Sequence, residues 1–210
     1  MEEPGFSWTA LKLVLIISLI FLLQQIFPNQ FELLALNSQE VLYRPWTLVT
    51  YIFLHANYSH LFSNMFFLVI AGLMLEKTVG YKNFLFVFFI TGIFSGIVST
   101  FFYDSVIGAS GAIYGVMSVL AVIRSKTVIY VLGVPMYIII AMILYAILDL
   151  GGVFYPSSTA NIGHLSALFF GVVIGLYWRK KYKITEKKKE KIKIDEEYFR
   201  EWEEKYMKRN

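Results

Sequence analysis

The chain is 210 residues long, 57% hydrophobic and 18% aromatic, with a mean hydropathy of +0.60, which is too apolar for a soluble domain with a hydrated surface and points to one membrane-embedded folding unit. It has no cysteine, which excludes disulfides, thiolate metal ligands and a cysteine nucleophile. The net charge of +4 misleads as an average: 13 of the 19 Lys and Arg residues lie between Arg179 and Arg209, so the charge marks a tail and gives no reason to expect a nucleic-acid partner.

Six apolar segments can be followed in order. The first runs over 9–27 and stops at Pro28; it is too long for a signal peptide and has no small-residue cleavage site, so it reads as a retained span. Residues 29–45 form a long loop that mixes Gln30, Glu32, Asn37, Gln39 and Arg44 with Phe31, Leu33, Leu34 and Leu36, a pattern suited to the membrane interface. The second apolar stretch, 48–79, carries His55, Asn57, His60, Ser63 and Asn64, and a charged turn with Glu76, Lys77 and Lys82 is expected after it. The third span is placed at 84–102, with Gly92 and Gly96 at a spacing that permits close helix contact. The fourth is uncharged over 106–123, and the fifth is placed at 128–148, interrupted near Gly133 and Pro135. Asp149 falls in the following loop, and the sixth span occupies 162–178.

These spans define an all-α six-helix membrane bundle over residues 1–179, followed by a charged tail over 180–210. Aromatics at Tyr198, Phe199, Trp202 and Tyr206 recur at helical spacing, which predicts a helix in the tail. Lys77, Lys82, Arg124 and Lys126 share one side with the tail, against Arg44 alone on the other, so the positive-inside rule places both termini in the cytoplasm.

Polar groups then meet at one depth. Counting about 1.5 Å per residue from the cytoplasmic markers, Ser110 lies about 21 Å above Arg124 and His164 about 22 Å above Arg179. Asn64 lies about 20 Å above Lys77, with His60 one turn higher. Polar side chains are costly in an apolar slab and normally face a bundle interior or a water-filled cavity. Small-residue faces, Gly111 and Gly115 on the fourth span and Ala167, Gly171 and Gly175 on the sixth, allow Ser110 and His164 to approach. The chemistry this allows is nucleophilic attack by Ser110 with His164 as general base. The Ser110 N–H, His60 and Asn64 are the oxyanion donors, and Tyr114, one turn after Ser110, supports the imidazole. Asp104 and Asp149 are expected in outer loops, so the arrangement reads as a Ser–His dyad without an acid. No His-Glu-x-x-His motif occurs, and three histidines without a neighbouring acid make a poor metal site; no metal or cofactor is expected. No internal repeat marks a transporter.

The stretches Gly108-Ala109-Ser110-Gly111, His60-Leu61-Phe62-Ser63-Asn64 and Gly163-His164 resemble the Gly-x-Ser-Gly, His-x-x-x-Asn and Gly-His motifs of the rhomboid family of intramembrane serine proteases. The likeness covers residues 8–178 and leaves out the tail. It implies a multi-pass protein of the cell membrane that cuts peptide bonds in or near transmembrane segments of other proteins, with the fifth span and the loop before the sixth as a substrate gate. A catalytically inactive rhomboid-like binding or quality-control protein is the rival reading, and the presence of both Ser110 and His164 weighs against it. One departure is Ala167, where the family usually has glycine. Neither the substrate nor the oligomeric state follows from the sequence.

Overall fold

In the structure, a computed structural model, residues 6–131, 133–155, 159–182 and 196–207 are described. The helices are α1 (Thr9–Ile26), α2 (Tyr58–Val79), α3 (Tyr81–Ser99), α4 (Ser110–Ile123), α5 (Ile138–Phe154), α6 (Asn161–Tyr182) and α7 (Glu196–Tyr206). Among the described residues α1, α2, α3 and α6 are long and apolar enough to cross a membrane, while α4 and α5 are apolar but shorter. The chain is thus a mostly helical multi-pass membrane protein. α4 measures only about 21 Å at 14 residues, shorter than an apolar slab about 30 Å thick.

Two expectations on helix limits change. The fifth span does not occupy 128–148. Val128–Val131 and Val134–Tyr137 pair as an antiparallel hairpin, β3–β4, turned at Gly133 with φ of +82°, a backbone conformation that favours glycine. α5 therefore starts ten residues later and runs on to Phe154, which takes Asp149 out of the loop and into the helix. The charged turn after the second span also dissolves: α2 continues to Val79, and Gly80 alone separates it from α3. Of the tail, residues 183–195 and 208–210 lie outside the described residues, as do 156–158 in the loop before α6; the expected tail helix is α7.

The core is built on close approach. α4 and α6 make the most extensive contact among the described helices, with α3 against both. The small residues divide the work differently from the expectation. Gly111 and Gly115 open α4 towards α3, where an added Cβ would collide with Ser95 and Thr91. Gly171 and Gly175 open α6 towards α4, where a Cβ would stand 2.6 Å from the Gly115 carbonyl oxygen and 2.8 Å from Val122 Cβ. Gly92 and Gly96 receive Ile52 and Tyr51 from the loop before α2, and the buried Tyr51 hydroxyl donates to the Gly92 carbonyl at 2.7 Å. That loop is tied to the approach to α4 by a two-residue pairing, β1 (Leu36–Asn37) with β2 (Ser105–Val106). At the opposite end, Arg124 donates to Thr78 Oγ1 at 3.3 Å and Asn83 to the Tyr182 hydroxyl at 2.9 Å, which gathers the basic ends of α2, α3, α4 and α6.

Glu76, fully buried near the end of α2, caps a helix 66 residues away. Its Oε1 accepts from the Ser7 and Thr9 N–H groups at 2.9 and 3.0 Å, and its Oε2 from the Ala10 N–H at 3.0 Å. A helix start leaves such donors without intrahelical acceptors, and negative charge is favourable there. Glu76→Ala strands three N–H groups at about 1–3 kcal/mol each, so the thermal midpoint in detergent falls and the segment around Ser7 becomes protease-sensitive. An unchanged midpoint and cleavage pattern would show that α1 does not depend on this cap.

Candidate active site

Ser110 opens α4, and the first intrahelical bond of that helix runs from the Ile113 N–H to the Ala109 carbonyl at 3.0 Å. The N–H groups of Ser110, Gly111 and Ala112 are thus the donors that a helix start leaves without intrahelical acceptors, and they sit beside Oγ. Before them, Gly108 holds φ at +124°, and its N–H donates to the Tyr51 carbonyl at 2.9 Å. A Cβ there would stand 2.8 Å from the His60 ring, so glycine serves both the backbone and the close approach of that imidazole.

His164 comes from the first turn of α6 and is buried. Its Nε2 lies 2.6 Å from Ser110 Oγ, and its ring is stacked on Tyr114 with centroids 4.4 Å apart and an interplanar angle of 17°. The structure also brings a group that sequence reasoning had excluded. Asp149 Oδ1 lies 3.1 Å from His164 Nδ1, with the Asp149 side chain 6% exposed. The expectation of no acid at this level fails because α5 extends five residues past Asp149. The spacing Met142, Tyr145, Asp149 places it on the inward stripe of α5, opposite the exposed Ile143, Ile147 and Leu148. In a helix almost wholly of apolar residues that stripe has no contrast to reveal it.

α2 supplies the remaining polar groups. Asn57 caps it, accepting from the His60 N–H at 2.9 Å, and His60 Nδ1 accepts from the Ala56 N–H at 3.4 Å. That bond places the His60 proton on Nε2, the nitrogen nearer Gly108. Asn64 Nδ2 donates one hydrogen to the His60 carbonyl at 2.8 Å. Ser110, His164, His60, Asn64 and Tyr114 all line one cavity of about 770 Å³, whose apolar wall includes Phe67, Met117 and Tyr145. The juxtaposition expected of Ser110, His164, His60, Asn64 and Tyr114 is therefore present; Gly108 shapes the rim, and Gly111 serves the contact with α3. Among the described residues no cluster of three His, Asp or Glu side chains could hold a metal ion.

His55 was legible only as a polar residue in an apolar stretch. It is fully buried in the loop before α2, edge-on to His60 at 5.0 Å, with its backbone held by both atoms of the Gln24 amide at 3.0 and 3.2 Å. Neither ring nitrogen has a hydrogen-bond partner of good geometry. Burial, reinforced by the neighbouring His60 and only partly offset by the Phe53 carbonyl, pushes its pKa down to about 4.

The rhomboid-domain family model matches residues 43–181. Rhomboid-like protease 3 of Toxoplasma gondii is 28% identical over 84% of this chain and 72% of that protein. Rhomboid-like protease 1 of the same organism is 30% identical over 64% of this chain, and the chloroplastic Rhomboid-like protein 11 of Arabidopsis thaliana 31% over 60%. The chain spans about half the length of these last two, 47% and 50%.

The burial of neutral His55 makes stability depend on pH. The unfolded chain binds a proton at this residue below about pH 6.5 and the folded chain only near pH 4, so acidification through that window favours unfolding by up to about 3 kcal/mol, while above it the group adds no slope. Comparing thermal midpoints at pH 7 and pH 4.5, His55→Leu loses less on acidification than the wild type. Equal losses in both proteins would assign the pH dependence to other groups.

Proposed function

The chain belongs to the rhomboid family, and on that premise we propose that it is an intramembrane serine endopeptidase acting on transmembrane segments of other proteins. The observation that carries this reading is the 2.6 Å contact between Ser110 Oγ and His164 Nε2 at the wall of a cavity inside an apolar bundle. Family members from Toxoplasma gondii are named as proteases. The bundle is read as six spans with both termini cytoplasmic, the basic helix ends marking the inner side. Residues 180–210 are then a charged extension beyond the catalytic domain.

In the reaction, the Oγ–H proton passes to Nε2 as Oγ bonds the scissile carbonyl carbon, and the carbonyl π electrons move to its oxygen. The Ser110 N–H, the His60 Nε2–H and the second N–H of Asn64 Nδ2 donate to that oxyanion. The oxyanion collapses and expels the amine, which takes the proton from Nε2 and leaves Ser110 acylated. A water, deprotonated by Nε2, attacks the acyl carbon and restores the hydroxyl. Tyr114 holds the imidazole plane by stacking while Nε2 gains and loses its proton. The reaction needs no cofactor in this scheme.

A fluorophosphonate probe on detergent-purified protein, read beside cleavage of a model transmembrane substrate, tests the assignment. Ser110→Ala abolishes labelling and cleavage with the thermal midpoint retained, and His164→Ala abolishes cleavage. Asn64→Ala and His60→Ala each lower turnover about 10²-fold, as loss of a single oxyanion donor does. Wild-type protein that neither labels nor cleaves would move the chain to the inactive, binding class; a labelled Ser110→Ala variant would displace Ser110 as the nucleophile.

A further inference from the structure

We propose that Asp149 is a positioning residue for His164, so that this chain works with a Ser–His–Asp triad in which the carboxylate is carried by α5. The inference rests on the Ser110–His164 reading above and adds to it the third group.

The geometry is that of a relay with one acceptor at each end. Asp149 Oδ1 lies 3.1 Å from Nδ1, and Ser110 Oγ lies 2.6 Å from Nε2. An ionised carboxylate can only accept, so Nδ1 must carry the proton, and Nε2 presents its lone pair to the serine hydroxyl. That is the tautomer a general base needs. With no acceptor at Nδ1 the two neutral tautomers would compete, and in the wrong one Nε2 is a donor and cannot receive the Oγ–H proton. When Nε2 is protonated in the reaction, the imidazolium faces the Asp149 carboxyl group 3.1 Å away.

The placement argues against an incidental acid. Asp149 sits on an apolar helix with 6% side-chain exposure, where a carboxylate is unfavourable unless it is paired. Its Oδ2 has no hydrogen-bond partner, and the contact with His164 is made by Oδ1. The Tyr114 hydroxyl lies within electrostatic range of the carboxylate without completing a bond to Oδ2. Tyr145, one turn before Asp149, meets Tyr114 edge-on with centroids 6.2 Å apart and Phe67 of α2 at 5.5 Å. Thus Tyr114, Tyr145, Asp149 and His164 close a ring between α4, α5 and α6. Since the carboxylate rides on α5, any outward displacement of α5 withdraws it from His164, which couples the position of this helix to the orientation of the base.

The test compares wild type, Asp149→Asn, Asp149→Glu and Ser110→Ala in one detergent preparation, with kcat, KM, fluorophosphonate labelling rate, thermal midpoint and ¹⁵N spectra of histidine-labelled protein. Three histidines make those spectra assignable. Asp149→Asn lowers kcat and labelling about 10²- to 10⁴-fold, leaves KM within about twofold, and does not lower the thermal midpoint, because removing a half-paired buried charge offsets the lost bond. Asp149→Glu recovers part of the rate. In the Ser110→Ala background the wild-type Asp149 holds His164 as the Nδ1–H tautomer, and Asp149→Asn shifts it towards Nε2–H. Wild-type labelling and kcat in Asp149→Asn, or an unchanged tautomer, would overturn the proposal while leaving the Ser110–His164 reading intact. Wild-type protein that fails to label would overturn the enzymatic reading, and the tautomer measurement would still judge the Asp149 contact.

Discussion

Gly171 has no room for a side chain, since a Cβ there would stand 2.6 Å from the Gly115 carbonyl oxygen and 2.8 Å from Ser118 Cβ. In lipid, where burying apolar surface gives helices little reason to associate, this backbone approach is what holds α4 and α6 together. The register of the site follows from it. Ser110 lies five residues before Gly115 and His164 seven residues before Gly171, or about 8 and 10 Å along their helices. Side chains from two parallel helices therefore reach one level, and Oγ and Nε2 close to 2.6 Å. α3 stays close for the same kind of reason: Ser95 and Thr91 occupy the space that Gly111 and Gly115 leave, and Ser95 donates to the Gly163 carbonyl at 2.9 Å beside His164.

Three buried polar contacts of this bundle join elements far apart in the sequence. Glu76 of α2 satisfies the start of α1, the Gln24 amide of α1 clamps the backbone of His55, and Asp149 of α5 meets His164 of α6. An unpaired polar group in an apolar interior is costly, so each contact fixes the relative position of two elements more sharply than apolar packing can. His55 is also buried, with no hydrogen-bond partner at either ring nitrogen. It is tolerated because it stays neutral, and its edge-on contact helps hold His60 against Gly108.

α5 is the element whose role changes most between sequence and structure. A helix of isoleucine and leucine looks like a lipid-facing span, and most of it is: Ile143, Leu144, Ile147 and Leu148 are exposed. Its inward stripe nevertheless carries Tyr145 and Asp149 into the site wall. The hairpin before it takes up residues 128–137, so that α5 starts at Ile138, and the helix runs past Asp149 to Phe154.

The sequence by itself determined the membrane class, the approximate limits of α1, α4 and α6, and the convergence of Ser110, His164, His60 and Asn64. Those features follow from helical rise and from the cost of polar groups in an apolar slab, both of which can be counted along one chain. The likeness of the Gly-x-Ser-Gly and His-x-x-x-Asn stretches to the rhomboid motifs belonged to the same level, and the match over residues 43–181 agrees with it. Tertiary structure decided which face each small residue opens, that residues 128–137 form a hairpin, that Glu76 is a cap rather than part of a charged turn, and that Asp149 meets His164. None of these is set by local periodicity. A uniformly apolar helix has no amphipathic stripe to mark its inward side, and a glycine does not record which neighbour fills the space it leaves. Contacts between residues 15 to 69 positions apart are chosen only when the helices pack.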